Sequence, residues 1–240
     1  MSIRHILILL FASCSCFWLS GCGSSKPEGD EQKAHHVDPV TVEKDKAQSS
    51  VADYDTTRWT EIVSGDGYTL DIKYATTDNF VDEVIYPCGR FFLRPDVAEA
   101  LEKVKMELKK QGYGLILFDG YRPRAAQQML WDKVSNPNYV APPSEGSMHN
   151  RGVAIDLSLT DSKGDEIDMG TPYDFFGPAA HHDFPDHTAE VLALRQLLKS
   201  VMESYGFQSI RTEWWHYSHT AATYPLDDWQ WPCLDEVLTD

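Results

Sequence analysis

The chain has 240 residues, of which 42% are hydrophobic and 24% are charged, a composition typical of a globular protein. It carries 37 acidic residues against 21 Lys and Arg, which gives a formal net charge of −16 at pH 7. We do not expect so acidic a chain to bind nucleic acid or anionic lipid by electrostatic attraction, because both ligands are themselves negative.

The first 21 residues are typical of a secretory signal peptide. The apolar run from Ile6 to Leu19 is too short for a typical membrane-spanning helix, and small residues then precede Cys22 in the box Leu-Ser-Gly-Cys. This box resembles the lipobox of bacterial lipoproteins, in which cleavage exposes a cysteine that is then acylated. We predict a lipoprotein signal at residues 1–21 and lipidation at Cys22. The alternative is an ordinary signal peptide in which Cys22 is incidental.

This signal predicts an exported protein that lipid anchors to a bacterial membrane, on the periplasmic or outer face. By analogy with lipoprotein sorting, Gly23 is not the aspartate of inner-membrane retention, which favours the outer membrane in a host with two membranes. Residues 22–52 are polar and lack an apolar pattern, so they are predicted to be a flexible tether. The folded domain is predicted to cover residues 53–240.

The first half of this domain is predicted to hold two strands and two helices. Apolar and polar residues alternate in the first strand, and the first helix has an apolar stripe that ends at Gly112. Pro123 can start the second helix. In chain order the elements are a strand at 68–74, a helix at 94–112, a strand at 115–118 and a helix at 124–134.

The second half is predicted to contain a strand at 152–159, a helix at about 188–205 and a last strand that carries Glu213-Trp214-Trp215-His216. Strands and helices mix without a regular βαβ alternation. We therefore predict an α+β fold: a single domain with a central, mainly antiparallel sheet, flanking helices and a zinc site on the sheet.

Two segments carry candidate metal ligands. One contains His149 and Asp156, and the other contains Glu213 and His216. Two imidazoles and one carboxylate are a ligand set of hydrolytic zinc sites, which keep a fourth position for water. Glu213 could take a proton from that water. The alternative for each residue alone is a hydrogen-bonded polar residue of the core.

The spacing of these residues makes geometric demands. Asp156 lies in mid-strand on a face of small residues, which leaves room for a metal, and Gly152 would permit the turn that brings His149 back from the loop. In an ideal strand Glu213 and His216 would face opposite sides. We therefore predict a bend, bulge or helical turn at residues 214–215.

The segments Ser147–Asp156 and Glu213–His216, with Asp119–Pro123 earlier in the chain, resemble the D-alanyl-D-alanine dipeptidases. These include the vancomycin-resistance dipeptidase. They share a zinc-site fold with D-alanyl-D-alanine carboxypeptidases and with the signalling domain of hedgehog proteins. The resemblance covers residues 68–217, and Met169–Phe175 favours the dipeptidase branch.

The resemblance implies a role for each matching residue. It implies His149, Asp156 and His216 as the ligands of one Zn²⁺ per chain. It implies Glu213 as the general base and acid, and Arg122 as the residue that stabilises the oxyanion of the tetrahedral intermediate.

The resemblance also implies how a small D,D-dipeptide is held. Ser147 and Asp174 match residues that bind the dipeptide, and the acidic one meets the substrate ammonium. Tyr121, beside Arg122, is predicted to line the site, with core packing as the alternative. No protein partner is implied.

Two other functions remain open. The first is a D,D-carboxypeptidase or endopeptidase that acts on peptidoglycan stem peptides, and the second is a non-catalytic zinc-binding lipoprotein. Asp174 distinguishes the first from a dipeptidase. At the closed end of a pocket it would require a free amine, whereas an open groove past it would admit a longer substrate.

The remaining Cys and His residues are weaker candidates. Export permits Cys88 and Cys233 to form a disulfide, with two free thiols as the alternative. The segment His181-His182-Asp183 resembles a second metal cluster, but adjacent His side chains usually diverge. His219 is a candidate for orienting a metal ligand or contacting substrate.

Overall fold

The computed structural model describes residues 52–220 and 223–233. The predicted signal peptide, the lipidation site Cys22 and the tether up to residue 51 lie outside the described residues. Among the helices that are described, none is both long and apolar enough to cross a membrane.

Two sheets contain all the strands of the described residues. These strands are β1 (Thr60–Ile62), β2 (Tyr68–Leu70), β3 (Phe91–Leu93), β4 (Gly114–Asp119), β5 (Ala154–Thr160), β6 (Phe207–Ile210) and β7 (Glu213–His219). The larger sheet has five strands in the order β2-β4-β5-β7-β6, of which only β2 and β4 are parallel. β1 and β3 form a separate antiparallel pair.

Three α-helices accompany the large sheet. They are α1 (Pro95–Lys109), α2 (Arg124–Lys133) and α3 (Ala189–Ser204). α1 and α3 contact each other, α1 contacts β4, and α3 contacts β6 and β7. The side-chain oxygen of Thr188 accepts a hydrogen bond from the Val191 amide, which satisfies one free donor at the start of α3. The predicted α+β class with a mainly antiparallel sheet is confirmed.

Most predicted elements lie where the sequence placed them, but the first strand is shorter. β2 ends at Leu70, and a single turn of 3₁₀ helix at Lys73–Ala75 takes the place of its predicted second half. This turn buries Tyr74, which belongs to the site described below. β1, β3 and β6 were not predicted, because strands of three or four residues are too short to show a clear alternation.

The last described segment, residues 223–233, packs on the domain as a tail. Trp229 stacks on Trp59 with ring centroids 5.0 Å apart. A disulfide joins Cys88 to Cys233, 145 residues apart in the chain. Of the two alternatives left open by the sequence, the structure shows the bonded pair.

Candidate active site

The pairing of β5 with β7 places two predicted ligands side by side, because Asp156 and His216 are partners in the register. His216 Nδ1 lies 2.9 Å from Asp156 Oδ1 and 3.2 Å from His149 Nε2. One ligand atom from each of the three residues lies within 4.8 Å of the other two, so all three can contact one ion. We call His149, Asp156 and His216 the metal triad.

The donor chemistry of the metal triad fits zinc. Two imidazole nitrogens and one carboxylate oxygen are ligands that Zn²⁺ uses in hydrolytic sites. Burial opposes the ionisation of Asp156, but the imidazoles of His149 and His216 outweigh it and lower the pKa of Asp156. The carboxylate is therefore ionised, as a metal ligand must be. The Tyr173 hydroxyl donates to Asp156 Oδ2 at 3.0 Å and fixes the orientation of the carboxylate.

A single 3₁₀ turn, His149–Arg151, returns His149 to the sheet. Gly152 follows with a φ of 74°, and a Cβ there would lie 2.5 Å from the ring of Trp59, so both conformation and space require glycine. His149 Nδ1 lies 2.8 Å from the carbonyl of Gly120, to which it can only donate. The proton on Nδ1 leaves the lone pair on Nε2, which faces the rest of the metal triad.

β7 is irregular between the glutamate and the histidine, as predicted. On β6, Ser209 pairs with Tyr217 but the next residue, Ile210, pairs with Glu213, so residues 214–216 of β7 have no partner on β6. As a result Glu213 and His216 line the same cavity, which strict alternation along a strand would prevent. The predicted backbone irregularity is confirmed.

The environment of Glu213 suits proton transfer near neutral pH. Burial raises the pKa of Glu213 to about 7, and the nearby imidazole of His216 partly opposes this shift. A carboxyl group with such a pKa can both accept and return a proton at neutral pH. Glu213 therefore has the position and the acidity that the sequence-based hypothesis requires of a general base.

Arg122 is buried beside the metal triad and is held by two neighbouring side chains. Its Nε and Nη2 donate to Asp119 Oδ2 at 2.9 and 2.6 Å, and its Nη1 donates to Gln127 Oε1 at 3.0 Å. Since a guanidinium has five N–H donors, two remain for the cavity that Arg122 lines. Burial disfavours the charge, but Asp119 reverses this effect and raises the pKa of Arg122 well above its usual range.

Sequence reasoning did not single out Asp119, although it stands three residues before Arg122 in the same motif. The side chain is 1% exposed. Besides Arg122 it accepts a hydrogen bond from the Tyr86 hydroxyl at 2.6 Å, and its Oδ2 lies 3.5 Å from His149 Nδ1. Asp119 thus joins the arginine to the metal triad. Tyr86 is 33 residues away in the chain, so no local pattern could have indicated this contact.

Asp174 also lines the cavity of the metal triad. Its backbone is left-handed, with a φ of 56°. The Tyr74 hydroxyl donates to Asp174 Oδ2 at 2.8 Å, while Oδ1 makes no hydrogen bond to the described part of the chain. Burial, reinforced by the negative charge of Asp156, raises the pKa of Asp174 to about 8. A cationic group bound beside Asp174 would lower that pKa and restore the carboxylate. We call Asp174 with Tyr74 the amine end.

These groups surround one cavity of about 570 Å³, the site cavity. Seven of the eight residues predicted to bind metal or substrate or to act in catalysis line it: Arg122, Ser147, His149, Asp156, Asp174, Glu213 and His216. Ser147 Oγ accepts a hydrogen bond from the backbone N–H of His149 at 3.0 Å. The site cavity therefore holds the metal triad, a proton carrier, a buried cation and the amine end together.

The prediction that Tyr121 lines the site is wrong, because Tyr121 is not among the residues that line the site cavity. Its ring packs against Trp59, with centroids 4.1 Å apart, and its hydroxyl donates to the carbonyl of Trp229 at 2.7 Å. Neighbouring residues on an extended segment point in different directions. The motif therefore sends Arg122 to the site cavity and Tyr121 into the core, which was the alternative.

The other candidate histidines lie elsewhere. Among the described residues, the metal triad is the one His, Cys, Asp or Glu group close enough to hold an ion. His181 Nδ1 lies 3.0 Å from Arg211 Nη1. His219 packs on Phe207, with ring centroids 5.1 Å apart, and it does not line the site cavity. The structure therefore does not support a role for His219 in orienting a metal ligand or contacting substrate.

Three ligand atoms that suit zinc, with a half-buried glutamate and a buried arginine around one cavity, define a metal-dependent hydrolase. The family model described as "D-ala-D-ala dipeptidase" matches residues 57–233, and the chain belongs to this family of zinc peptidases. The predicted enzyme class and the predicted zinc cofactor are thereby confirmed.

Curated relatives agree with this membership. The chain is 38% identical over 166 residues to a D-alanyl-D-alanine dipeptidase of Escherichia coli (strain K12), which covers 69% of this chain and 86% of the relative. It is 34% identical over 190 residues to a D-alanyl-D-alanine dipeptidase of Enterococcus faecium, with 69% and 93% covered. A solved vancomycin-resistance D,D-dipeptidase in complex with a D-Ala-D-Ala phosphinate analogue is 22% identical, with a TM-score of 0.37. The match covers 55% of this chain and about half, 52%, of that one.

Proposed function

We propose that this protein hydrolyses the dipeptide D-Ala-D-Ala to two molecules of D-alanine. The observation that carries the proposal is the site cavity, in which the metal triad and Glu213 share one space with the amine end. The names of the curated relatives support the choice of substrate. A dipeptide is small enough for a cavity of about 570 Å³ to hold both of its charged ends.

Proton transfer in this reaction belongs to Glu213. The metal triad would hold the zinc, which when bound would acidify a water and polarise the scissile carbonyl. Glu213 takes a proton from the attacking water and later delivers it to the nitrogen of the leaving D-alanine. With a pKa of about 7, Glu213 can perform both transfers near neutral pH.

Arg122 is placed to stabilise the negative charge that develops on the carbonyl oxygen. Asp119 and Gln127 hold three of its five N–H donors, and the other two remain available on a side chain that lines the site cavity. A donor that is already oriented needs no reorganisation during the reaction, and the loss of one such donor typically lowers the rate by about 10²–10³.

The amine end selects a substrate with a free ammonium. Such a group can donate to the free Oδ1 of Asp174 and neutralise a carboxylate that is otherwise costly to ionise. An N-acylated substrate brings no charge, so it leaves the buried group without its partner. This preference distinguishes a dipeptidase from a D,D-carboxypeptidase, which must accept an extended amine side.

The direct test compares D-Ala-D-Ala with N-acetyl-D-Ala-D-Ala on the purified domain, with zinc content measured on the same sample. We expect one zinc per chain, turnover of the dipeptide and loss of turnover when a chelator removes the metal. Restoration by added zinc controls for unfolding. Faster hydrolysis of the acetylated substrate would instead favour the carboxypeptidase.

We further propose that the enzyme is exported and held at a bacterial membrane by lipid on Cys22. Support comes from the sequence alone, namely the apolar run and the Leu-Ser-Gly-Cys box of residues 1–22. Mass spectrometry of the mature N-terminus tests it, with an acylated Cys22 as the expected result. A Cys22→Ala chain should leave the membrane fraction but keep its activity. Membrane association that is unchanged in this variant would contradict the anchor.

A further inference from the structure

A second cavity, of about 410 Å³, adjoins the site cavity at the amine end. We call it the side cavity. The two cavities have two lining residues in common, Asp174 and Phe80. A group that extends from a substrate nitrogen beside Asp174 toward the side cavity would therefore meet the ring of Phe80.

Phe80 is held in this position by aromatic rings on both sides. Its ring packs edge-on against Tyr74 at 6.2 Å and against Phe176 at 5.0 Å, measured between ring centroids. Phe176 continues the row to Tyr139 at 4.5 Å. Tyr74 is the residue whose hydroxyl holds Asp174, so Phe80 packs directly on the amine end. A ring with neighbours on two sides has little freedom to move away.

The side cavity has a polar lining that could hold a chain extending from the substrate. Lys73, Asp78, Asp82 and Glu166 line it, and Lys73 is already paired with Asp78 at 2.7 Å. The remaining carboxyl groups suit a peptide segment that carries a cationic side chain. The volume beyond Phe80 is therefore neither too small nor too apolar for a third residue.

We propose that Phe80 determines substrate length, because its ring closes the passage from the amine end into the side cavity. This inference rests on the proposed function, since it assigns the exclusion of N-extended substrates to one side chain. Asp174 then favours substrates with a free ammonium, whereas Phe80 excludes substrates that carry a group on the substrate nitrogen. The two effects are separable, because one depends on charge and the other on volume.

The test is Phe80→Ala, assayed with D-Ala-D-Ala, N-acetyl-D-Ala-D-Ala and the tripeptide L-Lys-D-Ala-D-Ala. We expect the ratio of kcat/KM for each N-extended substrate to that for the dipeptide to rise by about tenfold or more, because steric exclusion in a pocket is worth that much. Phe80→Leu, a smaller change, should raise the same ratios in the same direction by about threefold. If the alanine variant fails to fold, the leucine variant provides the test.

Phe175→Ala is the matched control. Phe175 lines the side cavity and a third cavity that also contains Glu213, but it does not line the site cavity. Its removal therefore enlarges the side cavity and leaves in place the ring that the side cavity shares with the site cavity. The ratios should stay within about twofold of the wild type. Folded, zinc-loaded Phe80 variants with unchanged ratios would overturn the role of Phe80. Wild-type enzyme that does not hydrolyse D-Ala-D-Ala would instead overturn the proposed function, so the two failures are distinguishable.

Discussion

The metal triad and the amine end each contain an aspartate, and their surroundings shift the pKa values of the two aspartates in opposite directions. Burial opposes ionisation of Asp156, but two adjacent imidazoles outweigh it and lower its pKa. Asp174 has a tyrosine hydroxyl in their place, so burial and the charge of Asp156 raise its pKa to about 8. Asp156 is thus ionised and able to bind a metal, whereas Asp174 becomes ionised when the ammonium of a substrate binds beside it.

The two regions are also positioned by different kinds of structure. Asp156 and His216 are fixed by the register between two central strands. Asp174 lies in a loop, with a left-handed backbone, and contacts Tyr74 of the 3₁₀ turn, on which Phe80 packs. We therefore expect changes at the metal triad to affect the chemical step, and changes at the amine end to affect binding and selection.

The largest expected effect is that of Glu213→Gln. The amide cannot accept a proton, so kcat on D-Ala-D-Ala should fall by about 10²–10⁴ while zinc content stays unchanged. Stopped-flow or product assays with metal analysis measure both. Glu166→Gln is the control, since the pKa of Glu166 is also raised, but Glu166 does not line the site cavity. Normal turnover by Glu213→Gln would remove the proposed mechanism.

Asp119→Asn should have the next largest effect. It removes the charge that balances Arg122, so both the orientation of Arg122 and the stability of the fold suffer. We expect kcat/KM to fall by about 10²-fold, mainly through kcat, and Tm to fall as well.

Asp227→Asn is the matched control for this substitution. Asp227 forms a comparable buried ion pair with Arg94, at 2.8 Å, outside the site cavity. It should lower Tm but leave kcat/KM within about twofold of the wild type. Equal loss of activity in both variants would mean that Asp119 acts only through stability.

At the amine end, Asp174→Asn keeps an acceptor for Tyr74 but removes the charge. KM for D-Ala-D-Ala should rise by about 10-fold or more, since a hydrogen bond to a charged group contributes about 1.5–3 kcal/mol. Hydrolysis of N-acetyl-D-Ala-D-Ala, which carries no ammonium, should not weaken in parallel. Steady-state kinetics on the two substrates decides this, and a parallel loss would place the ammonium elsewhere.

The last prediction concerns the pH dependence of stability rather than activity. An aspartate with a raised pKa in the folded state contributes stability that is complete below the unfolded pKa, near 4, and is lost as pH rises through the folded value of about 8. Asp174→Asn should therefore gain Tm over the wild type progressively from pH 4 to 8, with no further gain above. Thermal melts of both proteins at matched zinc occupancy measure the difference. A constant difference at all pH values would contradict the shift.

Some parts of the site could be predicted from the sequence, and others could not. The residues of the metal triad and Glu213 were predictable because donor chemistry and strand alternation are local, and even the irregularity of β7 followed from the clash between spacing and alternation. Asp119 was missed, because its importance depends on a distant Tyr86. Tyr121 was misplaced, because a motif does not say which neighbour turns to the core.

The disulfide between Cys88 and Cys233 has a consequence for the maturation of the enzyme. Tyr86, two residues before Cys88, packs edge-on against Trp231 of the tail, with ring centroids 5.1 Å apart, and supports Asp119. Where thiols stay reduced, only noncovalent contacts hold this tail. If the chain is exported as proposed, it carries this tail without its cross-link until it reaches an oxidising compartment, and until then we expect it to be easier for proteases to attack.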